Sequence, residues 1–215
     1  MNKCIGVIAD DLTGSMDAGL QLANGGYTVK VALDSESLHI ISGNTDIIIV
    51  DSESRNTPMD LAYKKVRYCA KKLREMNCSI IYKKIDSTMR GNIGCELEAV
   101  LEESKADCIL LAPALPYNRR TTVNGIHYVD GIPLEETELA KDPFAPIHTS
   151  DLRDIIQAQT LLPTGSITID TIRNSALEVA NAIKTMINSG IKIIICDAAD
   201  DADLACIAKA AENID

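Results

Sequence analysis

The sequence predicts an α/β fold: a doubly wound, mostly parallel sheet with helices on both faces. Three observations predict it. Short β-branched runs alternate with helix-period segments along the chain. Several of these runs are apolar nearly throughout, as strands covered on both faces are. Most strands run into polar, often acidic residues, which suits loops at the ligand edge of such a sheet.

The expected elements follow in order. Strands are read at Cys4–Ala9, Thr28–Leu33, Asp46–Val50, Ser79–Ile85, Asp107–Ala112, Ser166–Ile169 and Lys192–Cys196. The first helix runs from Ser15 to Asn24 and stops at Gly25-Gly26. The second starts at Pro58, with Thr57 as N-cap and proline at the first helical position. Ile93–Lys105 forms the third, with Asn92 able to cap it. Later helices cover Asp151–Gln159, Ser175–Ser189 (closed by Gly190) and Ala202–Glu212. Residues 113–150 break the rhythm: they hold most of the prolines and one β-hairpin, His127–Leu134, turning at Asp130-Gly131. A connection this long usually covers something or serves function. The whole chain, 1–215, is read as one domain.

Bulk properties exclude several roles. The chain has 215 residues, 46% hydrophobic and 24% charged, with a formal net charge of −10. One Phe, six Tyr and no Trp leave no stacking platform for single-stranded nucleic acid. An acidic chain repels phosphate backbones, and the basic cluster Lys71-Lys72-Leu73-Arg74 reads as a solvated helix face. Nucleic acid is therefore not an expected partner. No apolar run approaches the ~20 residues a membrane helix needs, so no membrane is expected either. The chain opens directly on a strand, so no signal peptide is expected. Seven scattered cysteines without a CxxC pair read as free thiols in a reducing, cytoplasmic setting. Only His39, His127 and His148 could join them, without zinc-ligand spacing, and no metal site is expected.

The chemistry should lie where strands end. The first ends in Asp10-Asp11, followed by Thr13-Gly14 and Asp17; the third in Asp51-Ser52, followed by Ser54-Arg55. The fourth ends in Asp86-Ser87-Thr88, followed by Arg90-Gly91-Asn92; the fifth leads through Pro113 to Arg119-Arg120. Asp170 and Asp197 follow later strands. Five strands are thus expected to deliver an aspartate to one edge. An aspartate there is often only a helix cap, which is the expected role of Asp170 and Asp197. Asp10-Asp11 exceed one cap, and Lys84–Asn92 is dense in polar groups. Lys83 and Lys84 alternate, so only one can face the crevice. Ser87 and Thr88 offer hydroxyls, Arg90 a fork for a carboxylate or phosphate, and Gly91 a close backbone approach. With Asp10, Asp11 and Asp86 for hydroxyls or a metal, the set suits a ligand with one acid group and several hydroxyls, such as a sugar acid. Neither a P-loop nor a G-x-G-x-x-G motif is present, so the chain shows no nucleotide site of its own.

Three stretches carry a resemblance: Ile8–Asp17, Asp51–Arg55 and Tyr82–Asn92, joined by Ala112–Pro116, Arg120–Thr122, Gly125–Val129 and Asp142-Pro143 to Ser150. In this order they resemble the N-terminal domain of the four-carbon acid sugar kinase family, over essentially the whole chain. The resemblance implies ATP-dependent phosphorylation of threonate, erythronate or a 3-oxo-tetronate. It implies that this domain binds the sugar acid, while a C-terminal domain, absent here, brings ATP and Mg²⁺ in cis or in trans. It further implies that Lys84, Ser87, Arg90 and Gly91 meet the acid and adjacent hydroxyls. Asp10 or Asp11 would orient the acceptor hydroxyl or act as base, with Asp86 beside them. Arg55 and Arg120 would close the site; Arg119 stands where the family usually has glycine. His127 is expected to pack the loop rather than to catalyse. Homo-oligomerisation stays open. Two other readings compete: a non-catalytic sugar-acid module or split-kinase subunit, and a receiver-type phospho-acceptor domain using Asp51.

Overall fold

The computed structural model describes every residue except 1–3, 42, 44, 144 and 215. Residue 144, inside one of the resembling stretches, thus lies outside the described residues. The chain divides into two compact units, Met1–Asp86 with Gly91–Ala106, and Ser87–Arg90 with Asp107–Asp215.

The first unit contains β1 (Cys4–Ala9), α1 (Leu12–Asn24), β2 (Val29–Ala32), β3 (Ile47–Asp51), α2 (Met59–Glu75), β4 (Cys78–Lys84) and α3 (Ile93–Ser104). Its parallel sheet has the order β2-β3-β1-β4. Alternation along the strands sorts the core into two layers. Val7, Ile47 and Ile49 pack with Ala18 and Leu22 of α1. Ile8, Ile48 and Val50 pack on the opposite face with Val66, Cys69, Ala70 and Leu73 of α2 and Ala99 and Val100 of α3. Helices therefore cover both faces, which is why β3 is apolar through Ile47–Val50 and buried throughout. The covering helices also fix where a ligand can enter. The chain leaves β1 toward the α1 face, but leaves β3 and β4 toward the other. The loops part on either side of the β1 end, the condition for a binding crevice in an open sheet.

The second unit contains β5 (Ile109–Leu111), β6 (Arg120–Val123), β7 (Ile126–Val129), β8 (Ile132–Pro133), α4 (Leu152–Gln157), β9 (Thr164–Ile167), α5 (Ile169–Asn174), α6 (Ala176–Asn188), β10 (Ile193–Cys196) and α7 (Asp201–Ala211). A parallel sheet β5-β10-β9 packs with the last helices around Ile167, Ile172, Val179, Ile183, Ile194 and Ile207. An antiparallel sheet β6-β7-β8 fills the proline-rich region.

The α/β class, with parallel strands flanked by helices, is the one expected. Its strands form two parallel sheets where one was expected, because an apolar run reports burial and not which strand lies beside it. The Asp130-Gly131 hairpin is present, both residues at positive φ as a two-residue primed turn requires. A second turn, Asn124-Gly125 between β6 and β7, is not among the expected elements, although Asn-Gly is the strongest local hairpin signal. Thr57 is not the cap of α2: Pro58 occupies that position, and the Thr57 hydroxyl donates to the Ser54 carbonyl. Proline's ψ of 144° holds it outside the helix, so helical geometry begins one residue later than expected.

Candidate functional site

In the first unit the β3 loop is laced onto the end of β1. The Asp10 carbonyl accepts from the backbone N–H of Ser54 and Arg55, and the Ala9 carbonyl accepts from Ser52 N–H and hydroxyl. This lacing carries Arg55 back over the aspartates. Its Nε and Nη2 donate to the two Asp10 oxygens at 2.7 and 3.0 Å, and Nη1 donates to Asp11 Oδ2 at 2.5 Å. Asp10 is 2% exposed, so its charge depends on this fork. Burial pulls the Arg55 guanidinium down in pKa. The bonds to Asp10 and the charges of Asp10, Asp86 and Asp11 more than reverse this, leaving the net shift upward. Asp11 also caps α1 by accepting from Gly14 N–H at 2.7 Å. Asp10-Asp11 thus combine a cap with a shared counterion.

Two contacts hold this arrangement from the β4 side. A Cβ on Gly91 would stand 3.0 Å from Arg55 Cγ and 3.2 Å from the Arg55 carbonyl oxygen, and Gly91 sits at φ +97°. Asn92 occupies the α3 N-cap position, but its side chain does not cap. Its amide nitrogen donates instead to the carbonyls of Ser54, Arg55 and Thr57, clamping the β3 loop. The expectation that Asn92 caps its helix is thereby corrected: three loop carbonyls outbid one helix N–H. Gly91→Ala is accordingly expected to cost roughly 2–3 kcal/mol in chemical denaturation, from backbone strain and displacement of Arg55. Wild-type stability in that variant would show that the close approach is not there.

Lys83 and Lys84 face opposite ways, as alternation requires. Lys83 Nζ lies 2.8 Å from Glu96 Oε2, with the side chains 3% and 1% exposed, and donates to the Lys84 carbonyl. Lys84 lies on the α1 side, where its Nζ and Cγ pass close to Gly14 and its ammonium donates to the Ile85 carbonyl. Asp86, 8% exposed, ends the first segment of this unit. Asp51 closes β3 with its carboxylate accepting from Glu53 N–H. Burial first, then the charges of Glu53, Asp11 and Asp10, pushes its pKa up against that bond.

In the second unit, Ser87–Arg90 is held by the antiparallel sheet. His127, fully buried, bonds the Ser87 carbonyl through Nε2 at 3.0 Å and Thr122 Oγ1 through Nδ1 at 2.9 Å. It packs the loop, as expected. Arg90 Nε donates to Thr88 Oγ1, and Nη1 pairs with Asp142 at 3.4 Å. Arg120 opens β6, its Nη1 donating to the Asn118 carbonyl while its buried Nε has no hydrogen-bond partner among the described residues. Arg119 lies outward, paired with Asp130.

Five aspartates at one edge are not found. Asp51 closes β3, and Asp10-Asp11 and Asp86 follow strands, of the first sheet. Asp170 sits exposed inside α5, because β9 ends two residues earlier than expected. Asp197 follows β10 in the other sheet, fully buried, and accepts N–H groups of Asn124, Gly125 and Ile169. It caps the start of α5, and it also holds the Asn124-Gly125 turn.

Comparison with known proteins gives the same reading along nearly the whole chain. The family model described as the sugar-binding N-terminal domain matches residues 5–214. D-threonate kinase of Salmonella typhimurium is 37% identical over 206 residues, 95% of this chain and 48% of that protein. D-erythronate kinase of Heliobacterium modesticaldum is 35% identical, over 95% of this chain and 47% of that protein. The chain therefore spans about half the length of the curated relatives it matches. A crystal structure of a domain of unknown function from Bordetella bronchiseptica, with bound citrate and as a domain-swapped dimer, superposes with a TM-score of 0.83. It is 28% identical, covering 96% of this chain and 50% of that one.

Proposed function

We propose, because the chain belongs to the sugar-binding N-terminal domain family, that it is the acceptor-binding half of an ATP-dependent kinase for a four-carbon acid sugar. The observation that carries this reading is the Asp10–Arg55–Asp11 cluster beside Lys84 and Asp86 at the end of β1. A carboxylate offers about four acceptor sites. Asp10 and Asp11 each use two in the bonds described, which leaves capacity for the hydroxyls of a polyol acid. Lys84, near the N-terminal turn of α1, supplies the positive charge for the acid group. Ser87, Arg90 and Arg120, in the second unit, are proposed as substrate contacts from the sequence resemblance. The buried Nε of Arg120, without a hydrogen-bond partner among the described residues, supports its share.

In this role Asp10 or Asp11 orients the acceptor hydroxyl and takes its proton, while phosphoryl transfer draws chiefly on positioning and charge neutralisation. ATP and Mg²⁺ are proposed to come with a second domain, in cis or in trans. Among the described residues no three His, Cys, Asp or Glu side chains gather into a ligand group. The citrate-bound relative supports a hydroxy-acid ligand, and its domain-swapped dimer supports self-association. Seven free thiols support a cytoplasmic setting. Among the described residues no helix is long and apolar enough to cross a membrane.

One second reading stands beside it, a sugar-acid module or split-enzyme subunit. The receiver reading loses ground. Asp51 is 3% exposed, and β2 pairs with β3 where a receiver's β2 pairs with β1. The test is a thermal-shift screen of D-threonate, D-erythronate and 3-oxo-tetronate. At about 100 times Kd one of them stabilises the wild type by about 2.7 kcal/mol, and Lys84→Ala removes the shift. Silence from the whole panel sinks the ligand assignment. Binding without ATP consumption, once an ATP-binding domain is supplied, decides for the module.

A further inference from the structure

The first unit holds a pair of thiols that its sugar-acid chemistry does not use. β1 and β4 pair in parallel with Ile5 opposite Ile80 and Cys4 opposite Cys78, so the register slips by one residue at Ser79. Without that bulge, Ser79 would face Cys4. With it, Ser79 is turned to solvent and Cys78 joins Cys4 on the face packed by α2 and α3. The two sulfurs lie 3.4 Å apart, the Cys78 thiol donating to Cys4 Sγ. Neighbouring strands run about 4.8 Å apart, inside the ~4.4–6.8 Å Cα separation that a disulfide accepts. Cys4 is half-buried and Cys78 is 6% exposed.

We propose that Cys4 and Cys78 are a disulfide-forming site, closed when hydrogen peroxide reaches Cys4. The Cys4 thiolate attacks the peroxide oxygen, the O–O bond breaks, and Cys4 becomes a sulfenic acid with loss of one water. The Cys78 sulfur then attacks the Cys4 sulfur. The S–S bond forms, and the sulfenic oxygen leaves as a second water with the remaining thiol proton. Two thiols lose two electrons, and one peroxide becomes two waters. Burial first, and then the Cys4 contact, pushes the Cys78 thiol up to about 12. Cys78 therefore keeps its proton near neutrality, and the more exposed Cys4 meets the oxidant first. The link ties β1 to the edge strand β4 and closes a loop over residues 4–78, which contains the whole Asp10–Arg55 segment.

The experiment treats the full chain with hydrogen peroxide at mildly alkaline pH, followed by alkylation and peptide mass spectrometry. The expected result is a chain about 2 Da lighter, two hydrogens lost. A cross-linked peptide should contain Cys4 and Cys78, and Tm should rise by roughly 5–10 °C and return with dithiothreitol. Cys4→Ser, at the more exposed thiol, and Cys78→Ala should each abolish the cross-link. Three results overturn the proposal: Cys4 over-oxidised while Cys78 remains open to alkylation, hydrogen loss that persists in Cys4→Ser, or cross-links found only between chains.

Discussion

Arg55→Met is expected to lose about 3–5 kcal/mol of folding stability and all sugar-acid binding. The side chain carries one positive charge against two carboxylates, one of them 2% exposed. Methionine fills the space but leaves the Asp10 charge buried without its fork. Lysine is no remedy, because a point charge cannot span both Asp10 oxygens and Asp11 together. Asp10→Asn in the same background should recover much of the loss, because the stranded charge is then gone. Urea denaturation of the two single variants and the double variant measures the coupling as a cycle. Additive losses would mean that Arg55 and Asp10 do not act as a pair.

Lys83→Met has the second-largest expected effect, again about 3–5 kcal/mol, for a related reason. Glu96 sits 1% exposed in the first turn of α3, and its Oε1 has no hydrogen-bond partner among the described residues. Removing the lysine strands that carboxylate inside the α2–α3 layer. Replacing both, Lys83→Met with Glu96→Leu, should return stability to the wild-type level or above it, since hydrophobic pairs of similar volume often match a buried ion pair. Denaturation midpoints decide this directly. A neutral Lys83→Met would contradict the burial of the pair.

Much of this architecture is legible in the sequence, and the illegible part has physical reasons. Apolar runs located every parallel strand; β3 and β10 are buried throughout, while the edge strand β4 keeps Ile80 and Tyr82 exposed. They could not divide the strands between two sheets, because partner choice leaves no periodic trace. Asp10, Asp11 and Arg55 were each recognisable as polar groups following strands. Their mutual bonding was not, because the carbonyl lacing of Ser54 and Arg55 to Asp10 is a backbone event. Asn92 was visible as a cap residue, and its turn to three loop carbonyls was decided by what folded next to it. The Asn124-Gly125 turn is different, since the dipeptide is itself a hairpin signal. Reading it would have given β6, and with β6 a structural role for Asp197.

The carbonyl that His127 holds has a consequence for the order in which the chain can mature. Ser87 precedes its imidazole partner by 40 residues. At ~5–20 residues per second, synthesis separates the two by roughly 2–8 s. By Ala106 every strand and helix of the first unit has been made, yet residues 87–90 still await a sheet that does not exist. Residues 87–90 are therefore a four-residue strap that gains its His127 bond only when the nascent chain delivers β7. A fragment beginning at Asp107 would never receive that strap. The second unit is in this sense finished by residues translated before it began.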